Sequence, residues 1–418
     1  MGWPDTFQDG KKTGDLAKFH PTQVLETGYE ILTLWVSRMI MMSLFAIGEI
    51  PFENVYLHGM VLDEHGKKMS KSKGNGIDPM DVIEKFGTDA VRLSLLIGNT
   101  PGNNLRIGEE KIEGFRNFVN KLWNISRYIL SSTDEKSRQS FEEMLTSDKT
   151  DLTLADKWIL NKFYNLITEI TADIENYQFS GAGEKLRDFT WGDFADWYLE
   201  VSKFEKNRPE KEIILREILQ DLLKLWHPFI PFVTETIWQK TVSDKKLLMV
   251  EKWPNRKKYS FKNSTANSFE FIKKIIVAIR NARAENNIES GKKIKAIIYA
   301  GNNLSLLQEA KILLENLRTG IKDLEIKKTG DKIADAIYIK EGAVEIYLIG
   351  GIDKNKERRR LQKEIAELDK YIAGLKNKLS NKNFKTKAPS EIVAQEETKL
   401  REAQSKKAKL EMYLNKLQ

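Results

Sequence analysis

Apolar residues change their spacing several times along the chain, and each spacing predicts an element. Asn54-Val55-Tyr56-Leu57 is a short β-favouring run and predicts a strand. Asp78-Pro79 pairs an N-cap residue with a proline suited to the first helical position, so a helix is predicted over Met80 to Phe86. Downstream, residues 111–260 carry long amphipathic patterns rich in Trp and Phe. Phe271, Ile272, Ile275, Ile276 and Ile279 recur at helical spacing, and Ala296 to Tyr299 and Val344 to Ile349 are strand-like. Leu361, Ile365, Leu368, Ile372, Leu375 and Leu379 then step by 4, 3, 4, 3 and 4, a heptad seam. The seam stops at Ser380-Asn381-Lys382-Asn383, and Pro389 suits the first turn of another helix, whose Leu400, Ala403, Leu410, Leu414 and Leu417 share a face. Two seams joined by a polar break predict an antiparallel helical hairpin. The textures divide the chain into 1–110 (α/β), 111–260 (α-helical), 261–353 (small α/β) and 354–418 (coiled-coil hairpin).

Ile31 to Phe52 is the most apolar stretch. Arg38, Glu49, Ser37, Ser43 and Gly48 interrupt it, so it predicts a buried helix of a soluble domain rather than a membrane span. The N-terminus, Met1-Gly2-Trp3-Pro4-Asp5, has no basic segment leading into an apolar run, and a cytoplasmic location is expected.

Composition narrows the chemistry. The 418 residues are 41% hydrophobic and 31% charged, enough apolar material for several cores. With no cysteine, disulfides, thiolate metal sites and cysteine nucleophiles are excluded. The four histidines, His20, His58, His65 and His227, do not cluster in sequence, so no protein-bound zinc is expected. The net charge of +8 favours a polyanionic partner. It is concentrated in the hairpin, where Lys354 to Lys387 hold twelve cations against four anions. That arm reads either as a solvated dimerising coiled coil or as an arm lying along a phosphate backbone.

The segment His58 to Asn75 carries the chemistry. It lies between the predicted strand and the Asp78-Pro79 helix, and packs Lys67, Lys68, Lys71 and Lys73 into seven residues. Mutually repelling lysines settle best around an anion, Ser70 and Ser72 can donate to phosphate oxygens, and Gly66 and Gly74 give the backbone freedom. Such a loop suits a polyphosphate leaving group.

Lys68-Met69-Ser70-Lys71-Ser72 resembles the KMSKS signature of class I aminoacyl-tRNA synthetases, and the flanking His58-Gly59, Gly74-Asn75 and Ile77-Asp78-Pro79 match as well. Within that class the chain most resembles the valyl branch. The supporting segments are Gly2-Trp3-Pro4, Pro21 to Glu30, Trp35 to Met42, Arg116 to Asn124, His227 to Glu235 and the C-terminal hairpin. The resemblance implies a partial Rossmann-type catalytic domain, an anticodon-binding bundle, a small α/β domain and a tRNA-binding arm. It implies ATP (with magnesium as counter-ion), valine and tRNA(Val) as partners, and a monomer without membrane attachment.

The resemblance also implies roles. Lys71, supported by Lys68, would meet the ATP phosphates, with Ser70 and Ser72 in the same loop. His58 and Gly59 would lie beside adenine. Gly28 and Glu30 would border the ribose and aminoacyl pocket, where the family usually has Asp in place of Glu30, and Trp35 would wall that pocket or serve as a core aromatic. Arg116, Asn120 and Lys121 of the bundle, and Arg358, Arg359 and Arg360 of the arm, would face tRNA. Trp191, Trp197, Trp226 and Trp238 are expected in the core, and His227 is expected to be structural. The family's His-x-Gly-His motif and editing insertion have no counterpart in the sequence. The chain is therefore expected to begin inside the catalytic domain, to need a separate N-terminal part, and to be inactive alone. A non-catalytic tRNA-binding module and an isoleucyl- or leucyl-type fragment remain open alternatives.

Overall fold

The computed structural model describes residues 2–70, 74–132, 140–147, 150–205, 208–241, 246–255, 263–333, 336–350, 354–380 and 390–416; within the last two stretches and 263–266, some side chains fall outside the description. The chain divides into two compact units, Met1–Glu270 and Phe271–Gln418.

The first unit opens with the hairpin β1 (Phe7–Gln8) and β2 (Lys11–Lys12) and helix α1 (Gly14–Phe19). Strand β3 (Thr22–Gly28) runs into a 3-10 turn (Tyr29–Ile31), a π-helical segment (Leu32–Val36) and α2 (Ser37–Ile47). Then come β4 (Phe52–His58), β5 (Val61–Leu62), α3 (Pro79–Phe86), α4 (Thr88–Leu96) and β6 (Leu105–Arg106). β3 and β4 form a two-stranded parallel sheet, and β5 pairs parallel with β6. The Asp78 side chain accepts from the Met80 N–H (2.8 Å), with Pro79 at the first helical position, so α3 starts where the sequence says it should.

The Ile31 to Phe52 stretch departs from expectation. Val36 and Phe52 are buried, but most of it is not: Phe45 is 88% exposed and Leu34 70%, and Met41, Met42 and Leu44 also face outward. Tyr29–Ile47 is long and apolar enough to cross a membrane by length and composition. The reason for its exposure is local: β3 and β4 pair with each other and with no further described strand, so no layer of this unit covers the helix that follows β3.

The rest of the first unit is a helical bundle: α5 (Glu109–Ser132), α6 (Phe141–Thr146), α7 (Leu154–Glu175), α8 (Phe179–Asp188), a π-helical segment (Phe189–Tyr198), α9 (Leu199–Ser202), α10 (Pro209–Trp226) and α11 (Pro231–Thr241). Its core is aromatic, with Phe118, Trp158, Phe163, Phe194, Tyr198 and Trp226 essentially inaccessible. Phe118 packs on Trp226 with ring centroids 4.9 Å apart, and the Trp226 indole N–H donates to Thr190 Oγ1 (3.0 Å). Trp238 is buried, but Trp191 is 40% exposed, a correction to its expected core role. Trp191 lies on the bundle's rim, stacked on Phe118, with the Lys121 ammonium over its outer region.

One buried charge cluster sets a single ammonium between two carboxylates. Thr153 and Asp156 form a capping box at the start of α7, and Asp156 also accepts from Tyr198 Oη (2.7 Å) and the buried Lys211 (2.6 Å), which reaches Glu205 as well (2.6 Å). Burial and the Asp156 charge push the Tyr198 hydroxyl well above its usual range.

Helix α4 clasps the turn between α10 and α11. The Asp89 carboxylate accepts from the Phe232 (3.3 Å) and Val233 (2.7 Å) N–H groups at the start of α11, and Arg92 donates to the Pro228 and Phe229 carbonyls (both 3.0 Å). Burial still raises the Asp89 carboxyl above its ordinary range, against the pull of those N–H groups. His227 sits in this joint, its Nδ1 within 2.9 Å of Thr234 Oγ1, and burial lowers its ring below the usual value.

The second unit takes in most of α12 (Asn263–Glu285), then β7 (Ile294–Tyr299), α13 (Leu304–Glu309), α14 (Lys311–Asn316), β8 (Ile321–Lys327), β9 (Ala336–Glu341) and β10 (Val344–Ile349). The strands form one sheet in the order β8-β7-β10-β9, with β7 and β8 parallel and the other pairs antiparallel. Gly342, at φ +58, opens the two-residue turn between β9 and β10, which asks for a left-handed first residue. Ile272, Ile275, Ile276 and Ile279 of α12 are fully buried. Helices α15 (Lys354–Ser380) and α16 (Ser390–Lys416) lie antiparallel: Lys378 pairs with Glu396 (3.2 Å) and Asp369 with Lys407 (2.6 Å), so one helix descends as the other climbs. Ile372, Leu375, Leu379 and Ala403 are buried. Pro389 lies outside the described residues.

Candidate functional site

In an open parallel sheet, ligands bind beyond the carboxyl ends of the strands. Here the carboxyl ends of β3 and β4 bring Gly28 directly opposite His58 in register. Glu30 curls back over Gly28: a Cβ placed on that glycine would lie 2.7 Å from Glu30 Oε2. His58 is partly exposed, with Nε2 3.3 Å from Glu26 Oε1 and Nδ1 2.8 Å from the Gly59 carbonyl. Gly59 has no room for a side chain, since a Cβ there would fall 1.9 Å from the Asn103 carbonyl oxygen. The same crossing is fixed by Leu105 N–H to the Met60 carbonyl (2.9 Å) and Met60 N–H to Asn104 Oδ1 (2.8 Å). Glycine is thus required by close backbone approach rather than by its own dihedral angles.

Side chains alternate along a strand, so Val24, Glu26, Tyr56 and His58 share one face of the sheet. They line a cavity of about 560 Å³ together with Gly59, Leu95, Leu96, Asn99, Tyr177 and Phe179. Burial, and then Glu26, raise the Tyr56 hydroxyl above its usual range.

The cationic loop grows directly out of this crossing. Its first turn is held by Asp63, whose Oδ1 accepts the Lys67 (2.7 Å) and His65 (3.0 Å) N–H groups. Asn75 closes the far side: its amide donates to Asp63 Oδ2 (2.8 Å) and to the Lys68 carbonyl (3.3 Å), and its Oδ1 accepts the Ser70 N–H (3.1 Å). The Lys67 N–H, and then the Asn75 amide, hold the buried Asp63 carboxyl below the usual carboxylate range. Arg106 packs against the turn: a Cβ on Gly66, itself at φ +77, would meet the Arg106 guanidinium at 3.0 Å. Among the described residues no three His, Asp or Glu side chains gather closely enough to hold a metal ion.

Of the residues singled out in the sequence, Gly28, Glu30, His58 and Gly59 meet at the strand ends, and Lys68 and Ser70 lie in the clasped loop. Lys71 and Ser72 fall outside the described residues. Trp35 is 52% exposed on the π-helical segment, so it is not the core aromatic that was one of its two expected roles. Arg116 pairs with Glu113 (3.2 Å) and covers the Phe86 ring, Lys121 pairs with Asp196 (3.1 Å), and Asn120 is exposed. Arg358, Arg359 and Arg360 belong to α15, but their side chains fall outside the description. No role was expected of Asp63, Asn75 or Arg106 themselves. Asp63-Glu64-His65-Gly66 is a turn signal that could have pointed to the first, but the partnership with Asn75 joins opposite ends of the loop and has no local signature.

Three family models match the chain: tRNA synthetases class I (I, L, M and V) over residues 1–108, the anticodon-binding domain of tRNA ligase over 156–298, and the valyl tRNA synthetase tRNA binding arm over 353–418. Valine–tRNA ligase of Clostridium tetani is 38% identical over 96% of this chain and 45% of its own length. That of Geobacter sulfurreducens is 39% identical over 100% of this chain and 47% of its own. The chain thus spans about half the length of the curated relatives it matches. Among solved structures, the LeuRS of a LeuRS-tRNA-LeuAMS ternary complex from Agrobacterium radiobacter K84 aligns over 61% of this chain and 30% of its own, at 25% identity and a TM-score of 0.47.

Proposed function

We propose that the chain, similar to valine–tRNA ligases over about half of their length, supplies the phosphate-gripping loop and the tRNA-binding parts of such an enzyme. The observation that carries this reading is the Asp63–Asn75 clasp, which anchors Lys68 and Ser70 next to the carboxyl ends of a parallel strand pair.

In the proposed reaction the valine carboxylate attacks the α-phosphorus of ATP, the bond to the β-phosphate bridging oxygen breaks, and pyrophosphate leaves valyl-AMP behind. A ribose hydroxyl at the tRNA 3′ end then attacks the valyl carbonyl and AMP departs. Lys68 and Lys71 offset the charge that builds on the departing pyrophosphate, an effect felt more strongly in the transition state than in bound ATP. Ser70 and Ser72 donate to phosphate oxygens, His58 and Gly59 lie beside adenine, and Gly28, Glu30 and Trp35 border the ribose and the aminoacyl group. Magnesium enters as the counter-ion of ATP. Arg116, Asn120 and Lys121, with Arg358, Arg359 and Arg360 of the arm, face tRNA(Val). The proposed setting is a cytoplasmic monomer of the assembled enzyme.

A complementary polypeptide, carrying the part of the relatives' length that this chain does not match, completes the catalytic domain in this proposal. What supports it is the free face of the first unit: a two-stranded parallel sheet beside an apolar helix with Leu34, Met41, Met42 and Phe45 exposed. A parallel pair this small does not stand without further strands or helices upon it. A lipid bilayer is a poorer occupant, because Tyr29–Ile47 is broken into 3-10, π and α segments and holds Arg38 mid-way. The test is valine-dependent pyrophosphate exchange by the complemented assembly. Lys71→Ala and Lys68→Ala each slow it by about 100-fold, the scale of losing one preorganised charge contact; undiminished turnover by Lys71→Ala rejects the assigned role.

A further inference from the structure

Helix α5 begins beside a cavity of about 800 Å³ that it shares with the end of α4, with α8 and with the π-helical segment that follows α8. Ile97, Phe115 and Phe118, all buried, form its apolar wall. Lys111 enters it, half-buried, from the first turn of α5. The residue after α4 makes room for the amine: Gly98 stands at φ +81, and a Cβ there would lie 3.5 Å from Lys111 Nζ. The charged groups that share the cavity are Glu110 on α5 and Glu184, Arg187 and Asp188 on α8. Arg187 pairs with Asp188 (3.4 Å) and Ser180 Oγ donates to Glu184 (3.4 Å), and among the described residues no carboxylate forms an ion pair with Lys111. An ammonium set against apolar side chains without a counter-charge gives up its proton more readily, and burial holds Lys111 below the ordinary lysine range. Its place in the first turn, at the positive end of the helix dipole, works in the same direction.

We propose that Lys111 is a site of Nε-acylation whose substrate is an acyl phosphate, the mixed anhydride of a small carboxylic acid and phosphoric acid. The neutral amine attacks the acyl carbonyl carbon. A C–N bond forms and the C–O bond to the phosphate breaks. The phosphate leaves with that electron pair and takes up the proton the amine sheds, so an amide and hydrogen phosphate are the products. A desolvated lysine is suited to this step because more of it is neutral, and therefore nucleophilic, near neutral pH. Arg187 is the cation in the same cavity that meets the departing phosphate. The product replaces a half-buried ammonium with a neutral amide, which the wall of Ile97, Phe115 and Phe118 accommodates at lower cost. The site uses no residue of the clasped loop and does not rest on the activity proposed above.

The experiment treats the full chain with acetyl phosphate across about pH 7 to 10 and follows each acetylated peptide by mass spectrometry. At about pH 7, Lys111 is expected to react at least about threefold faster than Lys11 and Lys240, which are exposed. That lead shrinks toward about pH 10, as the exposed amines lose their own protons. Gly114 supplies a second arm. It stands one helical turn after Lys111, lines the cavity, and has open space where a Cβ would go. Gly114→Asp therefore sets a carboxylate beside the ammonium, holds it charged and removes the lead, whereas Gly114→Ala keeps it. Far-UV circular dichroism checks that both variants fold. If Lys111 in the parent chain reacts no faster than Lys11 and Lys240 at about pH 7, or keeps its lead in a folded Gly114→Asp, the proposal is overturned.

Discussion

The helical bundle and the sheet fragment that precedes it are built from similar residues and reach opposite ends. In the bundle, Trp158, Trp226, Phe118 and Tyr198 are sealed, and the buried Lys211 meets two carboxylates. In the fragment, Leu34, Trp35, Met41, Met42 and Phe45 stand in the open beside a sheet of two strands. Apolar sequence therefore reports a need for burial, while only the set of neighbouring elements says whether the need is met. The bundle supplies its own neighbours. The fragment presents a face that, in the account proposed here, another polypeptide covers.

Substitutions can sharpen the contrast. Lys211→Met leaves Asp156 buried without its cation, which costs about 3 to 5 kcal/mol; calorimetry of the chain should find the bundle melting on the order of 10 °C lower. Gly59→Ala should leave that melting nearly unchanged, because it acts in the fragment. There its Cβ would strike the Asn103 carbonyl, shift the His58 turn and the loop behind it, and lower pyrophosphate exchange by the complemented assembly about 100-fold. Phe45→Asp is the reciprocal case. At a site 88% exposed it should change the stability of the isolated chain by less than about 0.5 kcal/mol, yet weaken assembly with the complementary polypeptide, read by analytical ultracentrifugation. A loss of several kcal/mol in the isolated chain would mean that the helix is buried after all.

The smallest effect lies in the second unit. Lys295, and then Lys327, hold the Glu325 carboxyl down to about 2. A carboxyl lowered on folding contributes stability that is present above its ordinary range near 4.5 and lost as pH falls through the folded value near 2. Glu325→Gln should remove that acid-side dependence from the melting curve and lower stability evenly above about pH 4.5, by a small amount because the group is surface-screened.

Much of the candidate site was legible because its signals are local. The lysine-rich loop, the Asp78-Pro79 helix start and the turn at Gly66 each announce themselves within a few residues. What stayed hidden joins distant positions. Gly59 needs to be glycine because of Asn103, Asp63 needs Asn75, and the Asp89 carboxylate caps a helix that begins at Pro231. The exposed face of Tyr29–Ile47 was hidden for another reason: its composition matches that of a core helix, and the covering layer is absent from the described residues. Trp191 misled in the same way, since an aromatic at helical spacing fits the rim as well as the interior.

In the proposed reading, this chain holds one side of an active site that the unmatched part of its relatives' length completes. The direct measurement is valine-dependent pyrophosphate exchange by the purified chain, by a polypeptide carrying the unmatched part of a relative, and by their mixture. Turnover is expected from the mixture alone, slowed about 100-fold by Lys71→Ala in this chain. Robust turnover by the purified chain without a partner overturns that assignment.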